Sequence, residues 1–247
     1  MNLKNQINPL SLCAATTAQI MVAMSCESDA MPDNKPFEIY TVIDGVATIK
    51  INGFLGYDIP DWACEYGWGT SYNKIIEAIK AIEANESIGG VVVEINSGGG
   101  NVNGSFESAR LLAALPLPKV AVVRTCAGSA AYMLAAACDE IKAYETAELG
   151  SIGTIITIVD TTAADEQFGY KIIPITNDDA TLKSIGIGSL TEEQYAFLLE
   201  RANMAAATFH AFVLSRRPQL NTEVFNAATW SGAKALSMGL IDEIASY

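Results

Sequence analysis

Two short segments of this chain carry residue types that acyl-transfer chemistry can use. Cys126-Ala127-Gly128-Ser129-Ala130-Ala131 sets a serine hydroxyl among residues too small to hinder an approaching substrate. The serine falls at a predicted helix start, and a helix amino end favours the negative charge that develops in acyl transfer. The same position suits a plain helix cap, for which serine is a favoured residue. Asn96-Ser97-Gly98-Gly99-Gly100 offers backbone N–H groups at Gly99 and Gly100 with no side chain in front of them. Such a turn can hold an oxyanion, and equally a phosphate or a thioester oxygen. It is no Walker-type loop, because no Gly-Lys-Ser/Thr follows, and the chain contains no GxGxxG.

A serine nucleophile needs a base. The single histidine, His210, lies inside the amphipathic run Asn203 to Arg217, an ordinary helical position, and a Ser-His-Asp triad would have to use it. A lysine can serve instead where burial lowers its pKa enough to leave the amine neutral. Lys183 is the candidate, in an aperiodic, weakly charged stretch from Asn177 to Gly188; most other lysines fall on helices or strand ends and read as solvated. By its place alone, an exposed loop lysine is the plainer reading.

The elements that must position these groups alternate. Apolar runs Val91 to Ile95 and Val120 to Val123 each end in one of the two small-residue turns, and each turn opens a helical pattern, the first marked by Phe106, Leu111, Leu112 and Leu115. This is the grammar of parallel α/β structure, which gathers reactive groups at the carboxyl ends of its strands. Upstream, Asp44-Gly45 between Glu38 to Ile43 and Val46 to Ile51 predicts a hairpin. Asn52 to Thr70 reads as irregular, its Tyr57, Trp62, Tyr66 and Trp68 covering one edge of the core or lining a pocket. Ser71 caps a predicted helix with Ile75, Ile76, Ile79 and Ile82 at helical spacing. Downstream, the patterning predicts strands over Ile152 to Val159 and Tyr170 to Ile175, with a short helix over Thr161 to Phe168 between them. A long helix from Thr191 to about Arg217 follows, then a helix closed by Gly239 and a last strand.

Composition narrows the function classes. A chain of 247 residues, 50% of them hydrophobic, is long enough for one well-buried α/β domain. A net charge of -13, from 15 basic and 28 acidic residues, disfavours nucleic acid or an anionic membrane as the main partner. Five cysteines without CxxC spacing and one histidine argue against a zinc site, and the expectation is no metal and no cofactor, with reduced thiols in a cytoplasm. Leu10 to Met24 is apolar but interrupted by Thr16, Thr17 and Gln19, and too short to span a bilayer. Ala23-Met24-Ser25-Cys26 faintly resembles a lipoprotein cleavage site, but the polar opening makes a poor signal peptide, so neither export nor lipid anchoring is expected. Residues 1–37 read as an N-terminal arm and linker that packs on a neighbouring subunit or an associated protein, and 38–247 as one domain.

Taken together, Asn96-Ser97-Gly98-Gly99-Gly100, Ser129-Ala130-Ala131-Tyr132, Asp139-Glu140-Ile141, Gly150-Ser151-Ile152-Gly153 and Lys183-Ser184 resemble the signal peptide peptidase A family, and so does the tail Ala235 to Asp242. The resemblance covers about residues 38–245 and is nearest to the family's phage branch, the head-maturation proteases, where a Ser-Ala-Ala-Tyr block is typical. It implies an α/β fold of the ClpP/crotonase type, built of repeated ββα units, and a serine endopeptidase with a Ser-Lys dyad. Ser129 would be the nucleophile and Lys183 the general base. Gly99 and Gly100 would form the oxyanion hole, with the N–H of Ser129 or Ala130 as second donor, and Ser151 would orient the lysine amine. The implied substrates are proteins or peptides (scaffold, portal or capsid proteins in a phage), and the implied assembly is a homo-oligomer. One departure stands out: the family usually has Asp-Ser-Pro-Gly-Gly where this chain has Asn96-Ser97-Gly98-Gly99-Gly100, which makes the turn more flexible. The alternatives are a bacterial signal-peptide-degrading peptidase of the same family, a crotonase-type enzyme acting on acyl-CoA, and a catalytically inactive capsid-assembly protein.

Overall fold

The computed structural model describes residues 37–246. The N-terminal arm expected over 1–37 lies outside the described residues except for Phe37. The chain forms two compact units, one running to Gly153 and resuming at Phe209, the other Thr154–Thr208.

The first unit is organised by a sheet whose three long strands are buried at every second residue over most of their length, as a half-covered pleat requires. β1 (Tyr40–Ile43) and β2 (Val46–Gly56) form the antiparallel hairpin. Asp44 (φ 49°) and Gly45 (φ 77°) are both left-handed, as a type I′ turn demands. β4 (Gly90–Gly100) runs parallel to β2, and β5 (Lys119–Gly128) parallel to β4. β6 (Glu140–Ala143) and β9 (Glu243–Ile244) extend the sheet in order β1-β2-β4-β5-β6-β9. Ile49, Ile51, Val91, Val93, Ile95, Ala121, Val123 and Ile141 line its covered face. Between these strands come helices α1 (Asp61–Glu65), α2 (Tyr72–Glu83), α3 (Ser105–Ala114) and α4 (Ala130–Ala136). α2 turns Ile75, Ile79 and Ile82 inward, while α4 is buried on all sides, which its Ala-rich, charge-free sequence permits.

Shorter strands sit where the main ones end. β3 (Gly69–Ser71) lies parallel to the end of β2, so the stretch read as irregular contributes nearly half of β2, a helical turn and most of β3. Its aromatics pack on one another, Trp62 edge-on to Trp68 at 5.7 Å. Ser71 stands at the amino end of α2 but does not cap it; its hydroxyl donates to the Tyr57 carbonyl at 2.8 Å. β7 (Glu148–Gly150) runs parallel to the end of β5, and β8 (Thr229–Ser231) is antiparallel to β7. α7 (Gly232–Met238) closes on left-handed Gly239 (φ 79°), as expected.

The second unit departs from expectation. It contains α5 (Thr162–Gln167) and the start of α6 (Glu192–Arg216), whose residues from Phe209 belong to the first unit. Thr191 and Gln194 form a reciprocal capping box at the start of α6, at 3.2 Å each way. Neither Ile152 to Val159 nor Tyr170 to Ile175 is a strand. Strand propensity is realised only against a pairing neighbour, and the second unit has no strand among the described residues. The apolar side chains are left in solvent, Ile155 at 86% and Ile175 at 91% exposure.

An ion pair between buried Arg217 and solvent-accessible Asp242 ties the tail into the first unit. The Arg217 guanidinium donates to Asp242 at 2.7 Å and to the Gly239 carbonyl at 3.1 Å, and Asp242 also accepts from the Ile141 N–H at 2.8 Å. Burial opposes the Asp242 charge, but the Arg217 and Ile141 hydrogen bonds outweigh it and hold the carboxyl below its ordinary value. A depressed folded-state pKa contributes stability that is complete above the unfolded value and lost as pH falls through the folded one. Asp242→Asn should therefore lower stability at neutral pH, because it leaves the buried Arg217 guanidinium without its counter-charge. Urea unfolding at pH 7 and pH 3 should show the variant losing less of its remaining stability on acidification than the parent.

Candidate active site

β5 ends at Gly128, paired with Gly150 of β7, and α4 begins at Ala130. Ser129 makes the whole turn between them, with φ 52° and ψ −124°, a region that only glycine occupies without strain. Such a conformation costs on the order of 1–3 kcal/mol and persists only where its surroundings over-determine it. Here its N–H donates to the Gly150 carbonyl at 2.8 Å and its carbonyl accepts from the Met133 N–H at 3.1 Å. The side chain makes no capping hydrogen bond to α4. Ser231 shows the contrast: in extended backbone at the head of α7, it accepts from the Lys234 N–H. Ser129 is thus no cap. Its backbone has the strained strand-to-helix geometry of a nucleophile elbow, and its hydroxyl is not spent on the helix amides.

The glycine segment lies directly against this corner. β4 does not stop at Ile95 but continues through the glycines, with slips of register at Asn52/Phe54 on β2 and at Ile95/Ser97 on β4. The extension is possible because β2 is long enough to pair with it, a length that patterning did not reveal. Gly99 has φ 103°, and a Cβ there would lie 2.7 Å from the Ser129 Cβ, 2.7 Å from the Gly128 carbonyl oxygen and 3.1 Å from the Ala130 nitrogen. A Cβ on Gly128 would in turn meet the Gly98 carbonyl oxygen at 3.0 Å. Gly100 abuts the backbone of Leu55 just as closely. Glycine is required here by contact as well as by conformation.

The expected oxyanion donors differ in availability. The Ser129 N–H is taken by Gly150. The Gly99 N–H donates to the Ser97 hydroxyl at 3.1 Å. Ala130 is the first residue of α4, where a backbone amide has no partner within the helix. Ser151 (φ 51°) stands one residue beyond the Gly128–Gly150 pair, as Ser129 does, and its N–H donates to the Ala228 carbonyl at 2.8 Å. Ser129 and Ser151 therefore leave the carboxyl ends of adjacent parallel strands side by side.

The first unit brings together Ser129, Gly99, Gly100, Ala130 and Ser151. Lys183 belongs to the second unit, where its side chain is exposed. Its loop is fastened by buried Gln194, whose amide donates to the Thr181 carbonyl (3.1 Å) and the Ser184 hydroxyl (3.0 Å). His210 stacks on Phe225 at 4.2 Å, and its Nε2 is buried without a hydrogen-bond partner among the described residues. Among the described residues no group of His, Cys, Asp and Glu is arranged to hold a metal ion, and no helix is long and apolar enough to cross a membrane. Sequence reasoning passed over Ser97, Gly150 and Gln194, because each acts through a contact that the chain order does not show.

The profile of peptidase family S49 matches residues 115–247, more than half of the chain. The chain belongs to that family. Among curated S49-like relatives, the head-tail preconnector protein GP5 of Enterobacteria phage P21 is 27% identical over 85% of this chain and 42% of its own length. The capsid assembly protease C of Escherichia phage lambda is 28% identical over 83% of this chain and 47% of its own. The chain thus spans less than half the length of these two relatives. A solved enoyl-CoA hydratase from Shewanella pealeana ATCC 700345 superposes with a TM-score of 0.50 at 14% identity, over 84% of this chain and 67% of that one. That likeness concerns the fold alone, and the S49 chain has the crotonase-type α/β fold. Gly99→Ala should drive the glycine segment and Ser129 apart. It is expected to destabilise the fold by about 1–3 kcal/mol, read as a lowered Tm.

Proposed function

We propose that the protein is a serine endopeptidase in which Ser129 is the nucleophile and Lys183 the general base. The observation that carries this reading is the strained, uncapped Ser129 held against a run of glycine backbone in a chain of family S49. In the proposed reaction the neutral Lys183 amine accepts the Ser129 hydroxyl proton as Oγ attacks the scissile carbonyl. The oxyanion is received by the backbone amides of Gly100 and Ala130, since the Gly99 N–H is engaged by the Ser97 hydroxyl. The lysine ammonium then protonates the leaving amine, and a water, deprotonated by the same lysine, releases the acyl group. Ser151 orients the lysine. A crotonase-type reaction would leave the conformation of Ser129 without a purpose.

A lysine with the ordinary pKa of about 10.4 is protonated near neutrality, so the mechanism needs Lys183 desolvated by whatever covers its loop. Lys183→Met and Lys183→Arg should both lose at least about a hundredfold in kcat, the second because guanidinium does not release its proton. His210→Ala should keep most activity. A peptidase assay in which Lys183→Met cleaves at the parent rate and His210→Ala does not would refute the dyad.

The phage relatives, a head-tail preconnector protein and a capsid assembly protease, support phage head proteins as substrates; scaffold, portal or capsid proteins are the ones proposed, tested by incubation with procapsid components. Cleavage of signal peptides alone would favour the bacterial alternative; no cleavage of either, an assembly protein without catalysis. We also propose a homo-oligomer, supported by the unpaired apolar segments with exposed Ile155, Phe168, Tyr170, Ile172, Ile173 and Ile175. Sedimentation at micromolar concentration should show a species larger than 26.2 kDa, reduced toward monomer by Ile172→Asp. A fully active monomer would end this proposal.

A further inference from the structure

Gly98-Gly99-Gly100 has no side chain of its own to fix it, and three successive glycines carry the largest backbone freedom of any such run. The segment nevertheless lies in van der Waals contact with Ser129. What holds it is Ser97, 1% exposed, one of few buried polar side chains in the first unit. Its hydroxyl donates to the Gly53 carbonyl at 2.5 Å and accepts from the Gly99 N–H at 3.1 Å. Both contacts sit where the β2–β4 register slips and Gly53 (φ 65°) has no partner in the ladder. β2 is itself anchored at the slip, since the Thr70 hydroxyl accepts from the Asn52 N–H (2.9 Å) and donates to the Asn52 carbonyl (2.8 Å). A continuous set of hydrogen bonds therefore runs from β3 through the β2 slip and Ser97 to the glycine that touches Ser129.

We propose that Ser97 is a positioning residue for the acyl-transfer site, acting through Gly99: it pins the glycine segment against Ser129 and occupies the Gly99 amide, leaving the Gly100 and Ala130 amides to receive the oxyanion. The inference rests on the reading of Ser129 as nucleophile. A buried hydroxyl that satisfies one acceptor and one donor is costly to lose, and a shift of about 1 Å in a catalytic group can cost on the order of a hundredfold in rate.

The test is the steady-state hydrolysis of a peptide substrate by the full chain, normalised to the Ser129 hydroxyl titrated with a fluorophosphonate, alongside hydrogen exchange at the Gly99 amide. Ser97→Ala and Ser97→Cys, which lack a strong hydroxyl donor, should lower kcat per titrated site by about a hundredfold with KM changed less than about twofold. Ser97→Thr should restore most of the loss, and Gly99 exchange should quicken in the Ala and Cys variants only. A normal kcat per titrated site in Ser97→Ala or Ser97→Cys, whatever the change in Tm, would overturn the proposal, since a purely structural role moves only the amount of folded protein. If the parent chain neither hydrolyses peptides nor takes the label, the peptidase reading fails by itself. Gly99 exchange then decides the clamp, unchanged protection in Ser97→Ala overturning it.

Discussion

Two strand ends meet without side chains between them, and the rest of the first unit is built to allow it. The glycine end of β4 and the Gly128-Ser129-Ala130 corner approach so closely that a Cβ on Gly99 or Gly128 would collide with the other segment. Backbone at such distances brings amides, a helix amino end and a serine hydroxyl into one place, where oriented dipoles act on a developing charge with little reorganisation. The sheet supplies the force that keeps them there. Its buried Val and Ile residues on β4 and β5 each contribute roughly 1.5–3 kcal/mol of burial, enough together to carry the strain at Ser129.

The strain is confined to backbone fixed from outside the corner. Ser129 hangs from Gly150 of β7, Ser151 from Ala228 just before β8, and Gly99 from Ser97 two residues back on its own strand. β7 and β8 give the core Leu149 and Trp230, and they place the two carbonyls that hold the serines in their left-handed conformations. The Arg217–Asp242 pair acts further off, joining the end of α6, the Gly239 cap and β6.

The second unit follows other rules. It carries segments with the composition of strands, yet offers them no neighbour, and its ordered parts are helices with a well-made capping box. An apolar strip of this extent on a single chain is the kind of surface that association covers. Gln194 serves both ends of this arrangement, closing the capping box and fastening the loop that bears Lys183.

The sequence alone determined the parallel α/β class, the hairpin at Asp44-Gly45, α2, α6 and the Gly239 stop, because each is set by local periodicity or by a residue's own backbone preference. It also marked Ser129 and the glycines, whose small neighbours are visible in order along the chain. It could not show that β4 runs on through the glycines, since a strand's length depends on how far its partner extends. Nor could it tell the serine that caps from the serine that does not: Ser71, Ser129 and Ser231 all stand at helix starts, and only Ser231 caps. The strands expected at Ile152 to Val159 and Tyr170 to Ile175 failed for the same reason. Pairing, contact and the fate of a hydroxyl are decided by residues distant in the chain, and only the tertiary structure brings those residues together.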